Sequence, residues 1–180
     1  MFKLGIIINP MAGIGGPLAL KGSDGEATVT QAKLLGAKPR APGRAEQVLA
    51  ALYDYRKQFQ LFGFDGSMAA DSAKKIGLPI HTVGSAKAAE TSSDDTYQAA
   101  LKLKAHDVDL IAFVGGDGTA RNICAAVEDN VTVLGVPAHD GSGGMPSKEF
   151  RILNITSALA LVSGDRVSTL SLALLMRFIE

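Results

Sequence analysis

The sequence predicts an α/β protein with a doubly wound parallel sheet, in which short apolar strands alternate with amphipathic helices. Strand-like runs occur at residues 3–8, 58–63, 79–83, 110–114 and 131–136. The fourth run is apolar throughout and lies between an aspartate and a pair of glycines, which is typical of a strand buried on both faces. Alternating strands and helices predict parallel pairing through right-handed crossovers, and therefore a three-layer, Rossmann-like arrangement.

The helices are predicted from apolar residues at helical spacing and from capping residues. The clearest stripe predicts a helix over residues 44–57 and consists of Ala45, Val48, Leu49 and Leu52. Ser67 is expected to cap the helix after the second strand, and Gly77 to end it. Other helices are expected at residues 26–35, from 91 onward and after the fourth strand.

Ligand-binding loops of such a sheet gather where its strands end. We therefore expect Asn9, residues 64–67, Gly84 and residues 115–119 to lie on one rim of the sheet. That shared rim is the predicted site of function.

Composition and charge exclude several classes of protein. With 18 basic and 18 acidic residues among 180, no overall field favours nucleic acid or an anionic membrane. The apolar run at residues 4–8 stops at Asn9-Pro10, which is too short for a signal sequence or a membrane span. The lone Cys124 excludes a disulfide framework and is expected to be a small buried hydrophobe. We expect a cytoplasmic protein that contacts neither nucleic acid nor membrane.

The turn Gly-Gly-Asp-Gly-Thr at residues 115–119 is the strongest candidate for chemistry. Its glycines allow positive φ and let a ligand approach bare amides. The helix that follows points free N–H groups and its positive dipole end at that ligand, which suits a phosphate. Because an acid repels phosphate, Asp117 needs a role: it would hold Mg²⁺ or accept a proton from an attacking hydroxyl. The alternative is a tight turn in which the aspartate only caps the helix.

The loop after the first strand is a second candidate for ligand binding. Residues 11–25 are rich in glycine, but Leu18 occupies the third position of a dinucleotide fingerprint, and no Gly-Lys-Ser/Thr closes a P-loop. The loop nevertheless lies where a parallel sheet binds its ligands. Asn9, Gly13 and Lys21 would help wall a nucleotide site. The alternative is a solvated connection with an ordinary surface lysine.

Together these segments resemble the superfamily of NAD kinases, diacylglycerol-type lipid kinases and 6-phosphofructokinases, whose signature is the turn at residues 115–119. Further segments resemble its ATP-NAD kinase-like, or AcoX-like, group. They are Ile8-Asn9-Pro10-Met11-Ala12-Gly13, Gly15-Gly16, Leu20-Lys21-Gly22-Ser23-Asp24-Gly25, Asp94-Asp95-Thr96 and Leu134-Gly135-Val136-Pro137-Ala138. The resemblance covers residues 4–138 and implies a fold like the N-terminal domain of NAD kinases.

The resemblance implies an enzyme that uses ATP and Mg²⁺ to phosphorylate a hydroxyl, with NAD as the leading acceptor and NADP as product. Asp117 would be the general base or the acid nearest the metal, and Arg121 would neutralise the transferring charge. The phosphate would be held by Gly115, Gly116, Gly118 and Thr119. Mg²⁺ is expected without a cage formed by protein side chains alone.

Asp95 and Thr96 have two possible roles. A serine followed three residues later by aspartate approximates a capping box, and acids in a first turn complement the helix dipole. The resemblance implies instead a contact to ribose or metal.

Residues 139–180 are expected to lie outside the nucleotide-binding domain, which we place at residues 1–138. The sequence His-Asp-Gly-Ser-Gly-Gly at 139–144 is typical of a linker. The apolar segments 152–162 and 168–179 are shorter than a membrane span. They are expected to bury themselves either on this sheet or at a subunit interface, and we favour the interface, which predicts a homo-oligomer.

Typical NAD kinases have a second, β-rich domain with an asparagine-acid pair that helps bind the dinucleotide. The nearest sequence here, Leu153-Asn154-Ile155, lacks the acid, and no complete second domain of that kind is expected. One alternative function is therefore a non-catalytic or regulatory protein that binds nucleotide without turnover. A Rossmann dehydrogenase is less favoured, because the Gly13 loop is imperfect and no ribose-binding acid follows it.

Overall fold

The computed structural model describes residues 1–14, 34, 36–88, 90–128 and 130–138. Lys21, the linker and the apolar C-terminal segments lie outside the described residues. The predicted helix at 26–35 also lies outside them, apart from Leu34.

The described part of the chain contains one five-stranded sheet in which every neighbouring pair of strands is parallel. The strands are β1 Phe2–Ile8, β2 Phe59–Phe64, β3 Ile80–Gly84, β4 Leu110–Gly115 and β5 Thr132–Pro137. Their spatial order is β3-β2-β1-β4-β5. The chain thus winds outward from β1 to β3, returns to β4 beside β1, and winds outward again to β5. This confirms the doubly wound parallel sheet and puts its topological switch point between β1 and β4.

Helices cover both faces of the sheet, as a parallel sheet requires. They are α1 Ala41–Leu52, α2 Ala70–Ile76, α3 Ser93–Ala105 and α4 Asp117–Val127. The first two pack on one face and the last two on the other. No helix among the described residues is long and apolar enough to cross a membrane.

The two central strands send alternate side chains into the two cores. Along β4, Ala112 and Val114 contact the α1–α2 core, whereas Ile111 and Phe113 contact the α3–α4 core. Both faces of β4 are fully buried, as its unbroken apolar run predicts. Ile8 pairs with Val114 in the parallel register, so β1 and β4 end side by side.

Two of the predicted helix starts are wrong. Helix α1 begins at Ala41 rather than at Arg44, because Pro42 fits the first turn, where its missing N–H would have no intrahelical partner anyway. Ser67 does not cap α2; it lies in a 3₁₀ turn, Gly66–Met68, and the N-cap of α2 is Ala69 without a side-chain hydrogen bond. The predicted stop is confirmed, since Gly77 has φ +82° and its N–H donates to the carbonyls of Ala73 and Lys74.

Glycine in β2 allows α2 to approach the sheet. A Cβ on Gly63 would lie 2.6 Å from the Cβ of Ala69 and 3.0 Å from the carbonyl oxygen of Ile6. We expect Gly63→Ala to lower the free energy of unfolding by about 1–3 kcal/mol, because this contact is overpacked. Urea unfolding measures the change.

The matched control is Gly43→Ala on the exposed side of α1, where a Cβ meets no atom of the described residues within 4 Å. It should raise the free energy of unfolding by up to about 1 kcal/mol, since alanine is the better helix former. Equal stability of Gly63→Ala and the parent would contradict the close packing of α2 on β2.

Candidate functional site

The ends of β1 and β4 are joined by hydrogen bonds at the switch point. The backbone N–H of Asn9 donates to the carbonyl of Val114 at 2.9 Å. Its side-chain Nδ2 donates to Oγ1 of Thr119 at 3.0 Å. Farther along the same rim, the N–H of Asp65 donates to the carbonyl of Gly84 at 2.8 Å. The loops expected to share one rim therefore do so.

Asn9 also shapes the loop that follows it. Its Oδ1 accepts the N–H of Met11 at 3.1 Å, and its backbone carbonyl accepts the N–H of Ala12 at 3.0 Å. An asparagine side chain that bonds the backbone two residues later is a common device for starting a turn. Asn9 thus fixes the direction in which the chain leaves β1.

Helix α4 begins in the turn that the sequence singled out. Its N-cap is Gly116, in extended backbone and without a side-chain cap. Asp117 is the first helical residue and is exposed. Asp117 is therefore not the N-cap residue of the helix, and whether its role is only structural stays open. Its carboxylate instead lies in the first turn, near N–H groups that have no intrahelical partner.

None of the three glycines of this turn has a positive φ, which corrects the expectation from sequence. Positive φ among the described glycines occurs at Gly13, Gly36, Gly66 and Gly77. A Cβ on Gly115 would lie 2.5 Å from Oγ1 of Thr119, whereas a Cβ on Gly116 would meet none of the described residues within 4 Å. Gly115 makes room for Thr119, and within the described part of the chain the space beside Gly116 is open.

Gly13 brings the first loop against the end of β5. It has φ +80°, and a Cβ there would lie 2.6 Å from the carbonyl oxygen of Ala138. The N–H of Ala138 in turn donates to the carbonyl of Gly115 at 3.2 Å. The loops after β1, β4 and β5 therefore converge, and any side chain at position 13 would separate them. Whether Gly13 also borders a nucleotide stays a prediction.

A basic residue at this rim was missed by sequence reasoning. Arg40 is the N-cap of α1, and its backbone N–H donates to the carbonyl of Ala12 at 3.3 Å. Its Cβ lies 3.2 Å from the position of a Cβ on Gly13. The signal was present in Arg40-Ala41-Pro42, since proline is common in a first helical turn. The apolar stripe nevertheless predicts that the helix begins only at Arg44, which leaves Arg40 outside it.

The other predicted phosphate-binding residues lie on α4 or outside the described part. Thr119 is 4% exposed, so its hydroxyl faces Asn9 and not solvent. Gly118 lies in the first turn of α4, and Arg121 is exposed four residues after Asp117. Residues four apart on a helix share a face, so Asp117 and Arg121 lie on the same side of α4. The roles of Asp117, Arg121 and Lys21 in binding or catalysis stay predictions.

Asp95 forms the capping box that the sequence indicated. Its backbone N–H donates to Oγ of Ser92 at 3.2 Å, and its Oδ2 accepts the N–H and the hydroxyl of Ser92 at 2.8 and 2.7 Å. Its Oδ1 accepts the N–H of Lys87 at 3.0 Å. Asp95 and Thr96 are each 3% exposed. The capping role is confirmed, and a ribose or metal contact stays a prediction that would compete with these bonds.

Magnesium fits this rim only as a partner of phosphate. The described residues contain no group of three or more His, Cys, Asp or Glu that could hold a metal ion. Mg²⁺ usually keeps several waters and binds one or two carboxylates together with substrate phosphates. Asp117 offers one exposed carboxylate near the open space at Gly116.

Cys124 on α4 is half-buried, whereas the sequence predicted a fully buried side chain. Desolvation by its neighbours raises the pKa of the thiol, so the thiolate is disfavoured.

The capping box makes a prediction about acid stability. Hydrogen bonds from the backbone N–H groups of Lys87 and Ser92 lower the pKa of Asp95 below its ordinary value. A lowered folded-state pKa stabilises the fold above the unfolded-state pKa of about 3.9, and this stabilisation disappears as pH falls through the folded-state value. We expect Asp95→Asn to cost about 1–2 kcal/mol at neutral pH. It should also flatten the loss of stability below about pH 4.

Urea unfolding from neutral pH to about pH 2 measures both effects. Asp94→Asn is the control, because the Asp94 carboxylate is half-exposed and pairs with the exposed Lys87 ammonium at 2.6 Å, and such surface ion pairs contribute little to stability. A larger effect at Asp94 than at Asp95 would contradict the capping box as the anchor of this loop.

One comparison with known proteins gives a match. The family model for the ATP-NAD kinase N-terminal domain matches residues 4–167. No curated protein and no solved structure shows a significant match to the chain. The family match extends past Ala138, where the resemblance noted in the sequence ends. Because the match covers most of the 180 residues, the chain belongs to the ATP-NAD kinase N-terminal domain family.

Proposed function

We propose that this chain is an ATP-dependent kinase that phosphorylates a hydroxyl, with NAD as acceptor and NADP as product. The observation that carries the proposal is the open space at Gly116, where α4 begins at the switch point of the sheet. Membership of the NAD kinase domain family supports a kinase-like activity. The acceptor is proposed from the family resemblance.

The first turn of α4 suits a phosphate group. The N–H groups at the start of a helix lack intrahelical partners and carry the positive end of the dipole. The intrahelical bond from Ala120 N–H to the Gly116 carbonyl, at 3.0 Å, begins the ladder. The preceding amides of the turn therefore supply donors, and the absent side chain at Gly116 lets a phosphate reach them.

Asp117 is proposed as the residue that handles the acceptor hydroxyl. Its exposed carboxylate is one helical position from the open space. There it would accept the hydroxyl proton or sit next to the metal. Bound ATP would supply the phosphoryl group, and Mg²⁺ would offset the charge of its phosphates. Arg121, on the same side of α4, would balance the remaining negative charge.

Several parts of the proposal concern residues beyond this rim. Residues 1–138 would form the nucleotide-binding unit, and the apolar segments that follow would mediate self-association. Lys21 would add a positive charge to the nucleotide site. We place the protein in the cytoplasm.

A non-catalytic nucleotide-binding protein is the second candidate. It is favoured by the sequence around Asn154, which lacks the neighbouring acid found in typical NAD kinases. The same turn would then bind phosphate without turnover.

The substitution Asp117→Asn separates these candidates. Asparagine keeps the shape of the side chain and removes its charge, so a general base would be lost and turnover should fall about 10²–10⁴-fold. Affinity for ATP should stay constant or improve, because a carboxylate repels phosphate. Phosphoryl transfer from ATP to NAD and calorimetric binding of ATP are measured for both proteins.

Unchanged turnover in Asp117→Asn would remove Asp117 from the mechanism. Binding of ATP by the parent without any product would favour the non-catalytic candidate.

A pair of glycine substitutions tests where the phosphate binds. Gly116→Ala should leave the free energy of unfolding within about 1 kcal/mol of the parent, because its Cβ enters open space and alanine is only a poorer N-cap. It should weaken ATP binding about tenfold or more, the equivalent of a lost hydrogen bond to a charged group. Thermal unfolding and calorimetry measure the two effects.

Gly115→Ala is the contrasting variant. Its Cβ would strike Oγ1 of Thr119 at 2.5 Å, so it should destabilise the fold by about 1–3 kcal/mol. Full ATP affinity in a stable Gly116→Ala protein would place the phosphate elsewhere.

A further inference from the structure

The side chain of Asn9 bridges two segments that are distant in sequence. Its Oδ1 bonds to the N–H of Met11, in the loop after β1, at 3.1 Å. Its Nδ2 bonds to the hydroxyl of Thr119, in the first turn of α4, at 3.0 Å. One amide therefore connects the first loop to the turn that begins α4.

The orientation of this amide is fixed by chemistry. A backbone N–H can only donate, so the amide oxygen of Asn9 must face Met11. The amide nitrogen must then face Thr119, whose hydroxyl accepts the bond. No exchange of the amide oxygen and nitrogen satisfies Met11 equally well.

Thr119 is held on the other side by Gly115. Its side chain packs where a Cβ of residue 115 would stand, with Oγ1 at 2.5 Å and Cγ2 at 2.7 Å from that position. It is 4% exposed. The Thr119 hydroxyl is therefore enclosed between the end of β4 and Asn9. A ligand at the open side of Gly116 would meet the backbone of the turn before it reached this hydroxyl.

We propose that Asn9 and Thr119 form a positioning pair and do not themselves bind the nucleotide. Their hydrogen bond sets the first turn of α4, with its phosphate-binding amides, relative to residues 11–14. The inference rests on the proposed function, because the amides that it positions are those proposed to bind phosphate. It replaces the direct phosphate contact expected of Thr119 and the nucleotide contact expected of Asn9.

A small displacement of the backbone amides in the first turn of α4 is expected to weaken ATP binding and phosphoryl transfer together. Preorganised donors stabilise charge only when they point at the position that the charge occupies. Without the hydroxyl at position 119, the part-buried Nδ2 of Asn9 loses its partner, and the amide would turn or draw in water to satisfy it. Either response moves the first loop or the start of α4.

The experiment is a cycle of substitutions with a conservative control. Thr119→Val keeps the shape and removes the hydroxyl, whereas Thr119→Ser keeps the hydroxyl. Each change is made in the parent and in Asn9→Ala. ATP affinity by calorimetry, kcat and KM for transfer to NAD, and urea unfolding are measured for every protein.

We expect Thr119→Val to weaken ATP binding and lower kcat/KM about tenfold in the parent. In the Asn9→Ala background it should change either quantity less than about twofold, because the hydroxyl acts through Asn9. Thr119→Ser should restore most of the lost affinity. Urea midpoints should show the same non-additivity.

Three results would overturn the inference. An equal effect of Thr119→Val in both backgrounds would mean that the hydroxyl contacts the ligand directly. Unchanged affinity and kcat/KM in Thr119→Val would leave the pair with a structural role only. Additive shifts of the urea midpoint would show that the hydrogen bond is absent.

Failure of the proposed function would give a different set of results. The parent would then neither bind ATP nor transfer phosphate, while the urea midpoints still showed the non-additivity of the pair. That result would keep the hydrogen bond and reject its positioning role together with the kinase.

Discussion

The hydrogen bond between Asn9 and Thr119 depends on the parallel pairing of β1 with β4. The register of Ile8 with Val114 makes both strands end at the same level. Only then does Asn9 lie close enough to bond the backbone of Val114 at 2.9 Å and the side chain of Thr119 at 3.0 Å. The loops after these strands leave toward opposite faces of the sheet, to α1 and α4. A crevice between such diverging loops is where doubly wound sheets bind their ligands.

The electrostatics of this rim come from backbone and side chains together. Helices α1 and α4 both begin at this rim, so the positive ends of their dipoles lie there. Helix α1 has Arg40 at its N-cap and no acid in its first turn. The dipole of α1 therefore favours an anion near its N-terminus. Asp117 at the start of α4 is the exception, and its exposed carboxylate is placed beside the open space at Gly116. Helix N-termini beside an exposed carboxylate match the needs of phosphoryl transfer, in which charge must be stabilised and a proton removed.

The sequence predicted the doubly wound parallel sheet and the shared rim, because buried parallel strands are continuous apolar runs such as Leu110 to Val114. It predicted the capping box at Asp95 because that motif is local. It failed where the reason lies in distant contacts. Positive φ was expected in the turn after β4, yet Gly115 is required there by the side chain of Thr119. The contact from Asn9 to Thr119 spans 110 residues, and no local pattern could show that two candidate ligand-binding residues bind each other. Arg40 is a different case, since proline in a first helical turn is a local signal; in the structure the N–H groups of Arg40 and Ala41 also bond to the carbonyl of Ala12.

The most direct test of the central claim is amide hydrogen exchange of the parent with and without Mg²⁺ and ATP. The account places the phosphates against the first turn of α4, close to the loop that Asn9 fixes. Bound nucleotide should therefore slow exchange in peptides that contain residues 115–121 and 9–14. Peptides around Tyr53–Tyr55, which lie after α1 at the end away from its N-cap, should be unchanged. Slowed exchange confined to other parts of the chain, or none at saturating ATP, would contradict a phosphate site at the junction of β1 and β4.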